Sequence, residues 1–216
     1  MRFQQDREAI VTTLKGLAAS GLVIGTAGNV SVRVAVDTYA MSPSSLAYEG
    51  MIAEDIVVVD GNGQILDGHR HPTSEMQLHL AVYASTSHRA IVHTHSKAAV
   101  AVSTLVDVLP PHHYYINQLG GAVGVAPYAT YGTRELADGV STAIGHSAAA
   151  LMSNHGAVAG GATLEEATYR AELVEWLCDT WLLARSAGAP RLLTEEQLRL
   201  ARERRGRTIH EEMRAL

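Results

Sequence analysis

A single α/β domain is the fold class that this sequence predicts. Three observations lead there. The chain has 216 residues, enough for one substantial domain or at most two small ones. Apolar segments of helical period alternate with short apolar runs of strand type along the whole length. No repeat, low-complexity tract or long linker divides residues 1–216.

The elements can be justified in chain order. Residues 6–20 form an amphipathic helix, with Ile10, Leu14, Leu17 and Ala18 at helical spacing and Gly21 as the stop. A small-residue turn, Gly25-Thr26-Ala27-Gly28-Asn29, leads into the β-rich stretch Val30–Val34. Ser42-Pro43-Ser44-Ser45 is a second polar turn. Ile56–Val59 reads as a buried strand, closed by the turn Asp60-Gly61-Asn62-Gly63.

A helix starts near Ser74 and carries Glu75, Met76, Leu78, His79, Leu80 and Val82. Ala90–His93 is a short strand leading into His95, and residues 97–105 are helical. Thr133 opens another helix over residues 133–145. Ala149–Met152 and Ala157–Ala159 are short strands around Asn154-His155-Gly156. Thr163-Leu164-Glu165-Glu166 is a capping box. It starts a long helix with the stripe Leu164, Ala167, Ala171, Val174, Cys178, Trp181 and Leu182. Thr194-Glu195-Glu196-Gln197 opens a last helix in the same way.

Composition excludes several function classes. A hydrophobic fraction of 47% with 18% charged residues is ordinary for a globular protein. The formal charge of −5 offers no basic face for nucleic acid. No run of about 18 apolar residues predicts a membrane span, and the first residues carry no signal-peptide pattern. Cys178 is the one cysteine, so no intrachain disulfide forms, and a reducing, cytoplasmic setting is expected. Cys178 itself falls on an apolar helical stripe and reads as a buried core thiol.

Histidine is the unusual count, at eleven. His93-Thr94-His95 puts two imidazoles on one face of a strand. Two imidazoles and a third nitrogen suit a tetrahedral zinc with an open position. His155, in a tight turn between two strands, is the third candidate. Read alone, the same residues equally describe histidines on a strand face. Glu75 follows Thr73-Ser74 at a helix start, where open N–H groups favour an anion; its plain alternative is a first-turn glutamate. His79, one turn on, reads as a supporting residue. His69, His71, His88, His112, His113, His146 and His210 read as surface or supporting residues. The turns Thr26–Asn29, Ser42–Ser45 and Thr73–Ser74 could present hydroxyl and N–H donors to a phosphate, although each alone is more often simply a turn.

Taken in order, these pieces resemble the class II aldolase/adducin-head family. The match is carried by Gly25–Ser31, Thr73-Ser74-Glu75, Val92-His93-Thr94-His95, His113-Tyr114, Gly120-Gly121, Ala126–Leu136 and Asn154-His155-Gly156. It runs from about residue 8 to about residue 200. The resemblance implies a three-layer sandwich, with a central, largely antiparallel sheet flanked by helices, assembled as a homotetramer with sites between subunits. It implies Zn2+, or another divalent ion such as Mn2+ or Co2+, held by His93, His95, His155 and Glu75. Glu75 would also move the substrate proton. Tyr114 would act in a neighbouring subunit's site on the aldehyde oxygen. Asn29, Ser44, Ser45, Thr73 and Ser74 would bind the substrate phosphate.

The implied reaction is reversible cleavage of a ketose 1-phosphate, such as L-fuculose 1-phosphate. Its products would be dihydroxyacetone phosphate and a short aldehyde such as L-lactaldehyde, formed through a metal-stabilised enediolate. Family alternatives are a 5-deoxyribulose-1-phosphate aldolase, an L-ribulose-5-phosphate 4-epimerase, a methylthioribulose-1-phosphate dehydratase and a non-catalytic adducin-like module. Two departures bear on specificity. Ser44-Ser45 stands where fuculose-phosphate-cleaving members have Thr-Gly. The last tyrosine here is Tyr169, whereas those members carry one in the tail.

Overall fold

The computed structural model describes the backbone of residues 1–214 and the side chains of residues 1–206; the side chain of His210 lies outside the described residues. The helices are α1 (Gln4–Ala19), α2 (Met76–Ser85), α3 (Lys97–Ser103), α4 (Arg134–Ile144), α5 (Leu164–Ala187) and α6 (Glu195–Arg214). The strands are β1 (Asn29–Ala35), β2 (Thr38–Met41), β3 (Val57–Asp60), β4 (Ile65–Asp67), β5 (Ala90–Thr94), β6 (Val125–Ala126), β7 (Ala149–Met152) and β8 (Gly156–Gly161). They form one eight-stranded sheet in the order β4-β3-β2-β1-β5-β8-β7-β6. Neighbours are antiparallel except β6 and β7, which run parallel.

Two-residue alternation in the strands explains the three layers. Val58, Val92, Leu151, Ala157 and Ala159 point to one face, where they pack with Ile10, Leu14 and Leu17 of α1, Val102 of α3, and Val174 and Cys178 of α5. Val57, Val59, Ile91, Ala150, Met152 and Val158 point to the other, against Leu78 and Val82 of α2 and Leu136 and Val140 of α4. Strands β2, β3, β5, β7 and β8 are therefore buried on both sides, and most read as nearly continuous apolar runs.

The starts of α4, α5 and α6 are fixed by side chains. Thr133 Oγ1 accepts from the Leu136 amide at 3.3 Å, and Thr163 Oγ1 from the Glu166 amide at 3.1 Å. Thr194 and Gln197 complete a reciprocal capping box. At α5 the reciprocal half is displaced by one residue, because Glu166 accepts from the Ala162 amide.

Some expectations are corrected. Ala18 is exposed, and Val11 takes its place on the buried face of α1. Ile56 is fully buried but precedes the paired part of β3. Strands β2, β4 and β6 and the 3-10 helix Tyr114–Leu119 were not anticipated. No helix among the described residues is long and apolar enough to cross a membrane.

Candidate metal centre

The sheet brings four chain segments together at one end. β1 begins there at Asn29, β5 ends at Thr94, β8 begins at Gly156, and α2 starts just after Glu75. Asn29 pairs with His93 across β1 and β5, and His93 with Val158 across β5 and β8. His95 lies just past the end of β5. His155 sits in the β7–β8 turn, after Asn154 in the left-handed conformation at φ 59°. An asparagine tolerates that conformation better than most residues. Gly156 serves a different need. A Cβ there would lie 2.1 Å from the Thr94 carbonyl oxygen, so only glycine lets the two strands approach this closely.

Glu75, His93, His95 and His155 each offer one ligand atom, and these atoms lie within 4.8 Å of one another. His93 Nε2 is 2.9 Å from His95 Nε2, and His155 Nε2 is 3.2 Å from His95 Nε2. Glu75 Oε2 is 2.9 Å from His93 Nε2, and Oε1 is 3.3 Å from His155 Nε2. A tetrahedral ion with metal–nitrogen bonds of about 2.0–2.1 Å separates its nitrogen ligands by about 3.3 Å, close to these spacings. Glu75 Oε1 is buried and takes no hydrogen bond among the described residues. Three converging imidazole nitrogens and a buried carboxylate oxygen left without a hydrogen bond fit a divalent cation.

The electrostatics agree. Burial pushes the Glu75 carboxyl up, but His93, His155 and the Asn29 amide outweigh it and hold it well below the carboxylate range. Burial pulls His93 down, and Glu75 with the Ala157 carbonyl more than reverses this. His95 is pushed down to about 4 by burial and by its two imidazole neighbours. His155 is lowered by burial and by His93. The cluster thus favours positive charge at its centre while keeping two imidazoles neutral, the form that ligates a metal.

A pocket of about 350 Å³ opens over this cluster. Thr26, Gly28, Asn29, Ser44, Ser45, Thr73 and Ser74 line one part of it, so all three polar turns converge there. Asn29 is more committed than the sequence implied. Its Nδ2 donates to Glu75 Oε2 at 3.0 Å, and its Oδ1 faces His79. Tyr128, Tyr131 and Asn154 also line the pocket; the sequence marks Asn154 only as a turn residue and neither tyrosine as a site residue. The one signal for the tyrosines was their place in the Ala126–Leu136 block. Tyr114 does not line the pocket; it is half exposed on the Tyr114–Leu119 helix, with its ring against those of His113 and Tyr115. Cys178 is fully buried, which pushes its thiol up and keeps it protonated. His112 is held by Pro110 and Thr180, a supporting role as expected.

Comparison with known proteins gives one picture. The family model for the class II aldolase and adducin N-terminal domain matches residues 8–182. A 5-deoxy-D-ribulose 1-phosphate aldolase of Bacillus thuringiensis serovar kurstaki is 36% identical over 200 residues, covering 92% of this chain and 94% of its own. The L-fuculose phosphate aldolase of Escherichia coli K12 is 37% identical over 198 residues, covering 90% and 91%. A solved L-fuculose 1-phosphate aldolase superposes with a TM-score of 0.90 at 35% identity, over 94% of this chain and 97% of that one.

Proposed function

The chain belongs to the class II aldolase and adducin N-terminal domain family, and on that premise we propose that it reversibly cleaves a ketose 1-phosphate into dihydroxyacetone phosphate and a short aldehyde. The carrying observation is the convergence of Glu75, His93, His95 and His155 beneath a pocket lined by hydroxyl-rich turns.

His93, His95, His155 and Glu75 would hold the divalent ion, with zinc favoured by three nitrogen donors and Mn2+ or Co2+ also suited to the set. When bound, the ion supplies a Lewis acid that polarises the ketone oxygen and offsets negative charge as the carbon–carbon bond breaks. Ser44, Ser45, Thr73 and Ser74, with the remaining N–H of Asn29, would grip the phosphate. In the synthetic direction Glu75 takes a proton from the carbon beside the carbonyl. The electron pair left on that carbon forms the new bond to the aldehyde carbon, and Tyr114 gives its hydroxyl proton to the aldehyde oxygen. Cleavage is the reverse. A carboxylate whose charge is neutralised by its neighbours is a weak base, so Glu75 must swing free of the cluster to act.

Tyr114 would reach the pocket of a neighbouring subunit, in a homotetramer. The exposed aromatic surface of Tyr114, Tyr115 and Trp176 supports an interface there. Two sugars are favoured, L-fuculose 1-phosphate and 5-deoxyribulose 1-phosphate, because relatives of near-equal identity carry those two names. The test is to offer both, together with L-ribulose 5-phosphate, and assay dihydroxyacetone phosphate. Release from either ketose 1-phosphate is expected. C4 epimerisation of the pentulose without any release would refute the aldolase reading.

A further inference from the structure

Behind Glu75 runs a row of buried polar side chains, of which the chemistry above uses only Asn29. Asn29 Nδ2 donates to Glu75 Oε2 at 3.0 Å. Asn29 Oδ1 lies 2.5 Å from His79 Nε2, and His79 Nδ1 lies 2.6 Å from Ser31 Oγ. Ser31 Oγ lies 2.8 Å from the Tyr83 hydroxyl. His79 and Ser31 have no exposed surface and Tyr83 has 2%. The row follows from two periodicities. Glu75, His79 and Tyr83 are spaced four apart, from the residue that caps α2 into the helix, and Asn29 and Ser31 alternate on the facing side of β1.

One arrangement of hydrogens satisfies every contact. A carboxylate only accepts, so Asn29 must turn its NH2 to Glu75 and its carbonyl to His79. The reversed amide would set a carbonyl oxygen against the carboxylate. That carbonyl only accepts, so His79 Nε2 carries the proton and Nδ1 is left as an acceptor. The Ser31 hydroxyl therefore donates to Nδ1, and the Tyr83 hydroxyl donates to Ser31. The scheme needs a neutral imidazole. The complete burial of His79 between two uncharged partners, Asn29 and Ser31, supplies one.

We propose that His79 is a positioning residue for Glu75: acting through Asn29, it holds Oε2 as a hydrogen-bond acceptor, the pivot about which Glu75 swings free of the imidazoles, and leaves Oε1 as the oxygen that exchanges the substrate proton. Oε1 is the carboxylate oxygen with no hydrogen bond among the described residues. This inference rests on the reading of Glu75 as the proton-transfer group. Ser31 and Tyr83 hold the tautomer that makes His79 a donor at Nε2. Fully satisfied buried networks of this kind fix one geometry.

The test compares His79→Leu, which removes the donor, with His79→Gln, whose side-chain amide keeps an N–H for Asn29. Both are read by crystal structure and metal content as well as by kinetics. His79→Leu is expected to lower kcat by about 10- to 100-fold, with KM changed by less than about 2-fold and the metal retained. Its Asn29–Glu75 contact should lengthen beyond about 3.5 Å. His79→Gln should recover most of the rate. An intact Asn29–Glu75 contact with unchanged kcat in His79→Leu overturns the inference, and so does an equal loss in both variants. If His79→Leu does not fold, Ser31→Ala takes its place, and an unchanged kcat there is equally fatal. Glu75→Gln separates the two levels. Full turnover in that variant overturns the proton-transfer reading itself, whereas an inactive Glu75→Gln beside an unaffected His79→Leu overturns the positioning role alone.

Discussion

His93 Nδ1 stands 2.9 Å from the backbone carbonyl oxygen of Ala157 on the adjacent strand. A carbonyl can only accept, so Nδ1 carries a proton, and in the neutral ring the lone pair of Nε2 points into the cluster. The strand pairing of β5 with β8 therefore selects the tautomer that ligates a metal. Mass spectrometry of the purified protein should find about one divalent ion per chain, as a three-histidine centre requires. Stripping it with a chelator should abolish aldol cleavage, and restoring zinc, manganese or cobalt should return it. A metal-free preparation with full activity would remove the centre from the reaction.

Glu75 is 5% exposed and sits between two imidazoles. Glu75→Gln keeps the shape and the ability to accept from Asn29, but it cannot take a proton. Turnover should fall by about 100- to 10,000-fold, the usual range for a general acid–base group. Thermal unfolding should move little. Steady-state assay of dihydroxyacetone phosphate release measures the first, and calorimetry the second.

How much of this was legible differs from residue to residue. His93 and His95 could be read as a pair because strand alternation is a local rule. Thr133, Thr163 and Thr194 marked helix starts for the same reason: their hydrogen bonds span three residues. The Asn29–Glu75–His79 row was not legible. Asn29 meets Glu75 across 46 residues of chain, and only the β1–β5 register with α2 packed over it brings them together. β4 escaped notice because Ile65 and Leu66 are exposed, so no buried alternation marks it. Ala18 misled because alanine is at home on either face of a helix.

Asp55 gives the fold a pH dependence whose sign can be worked out. It accepts from the Ile52 amide at 3.0 Å and from Arg70 Nε at 2.6 Å. Burial pushes its carboxyl up, but the Ile52 N–H and Arg70 outweigh that and lower it. A lowered pKa in the folded state means a contribution fully present above the unfolded value of about 3.9 and lost as the pH falls through the folded value. Asp55→Asn should therefore cost about 1–3 kcal/mol at pH 7, and less at pH 3. Urea unfolding at the two pH values checks this. An equal deficit at both would show that charge is not the cause.

Gly156 provides the sharpest test of how the fold makes the centre. A Cβ at this position would meet the Thr94 carbonyl oxygen at 2.1 Å, the Thr94 carbonyl carbon at 3.1 Å and the His95 Cα at 3.3 Å. All three are backbone atoms, so no side chain can rotate away. Gly156→Ala must push the start of β8 away from the end of β5. His155 precedes Gly156, and His95 follows Thr94, so the displacement falls on the 3.2 Å spacing between their Nε2 atoms. The loss of stability should be about 1–3 kcal/mol, the usual cost of overpacking. The loss of metal should be the larger effect, because ligation tolerates little error in donor position. Metal content and denaturant midpoint, measured on the same sample, separate the two. A Gly156→Ala protein that is only destabilised, with a full complement of metal, would show that the close approach of these strands serves packing and not the centre.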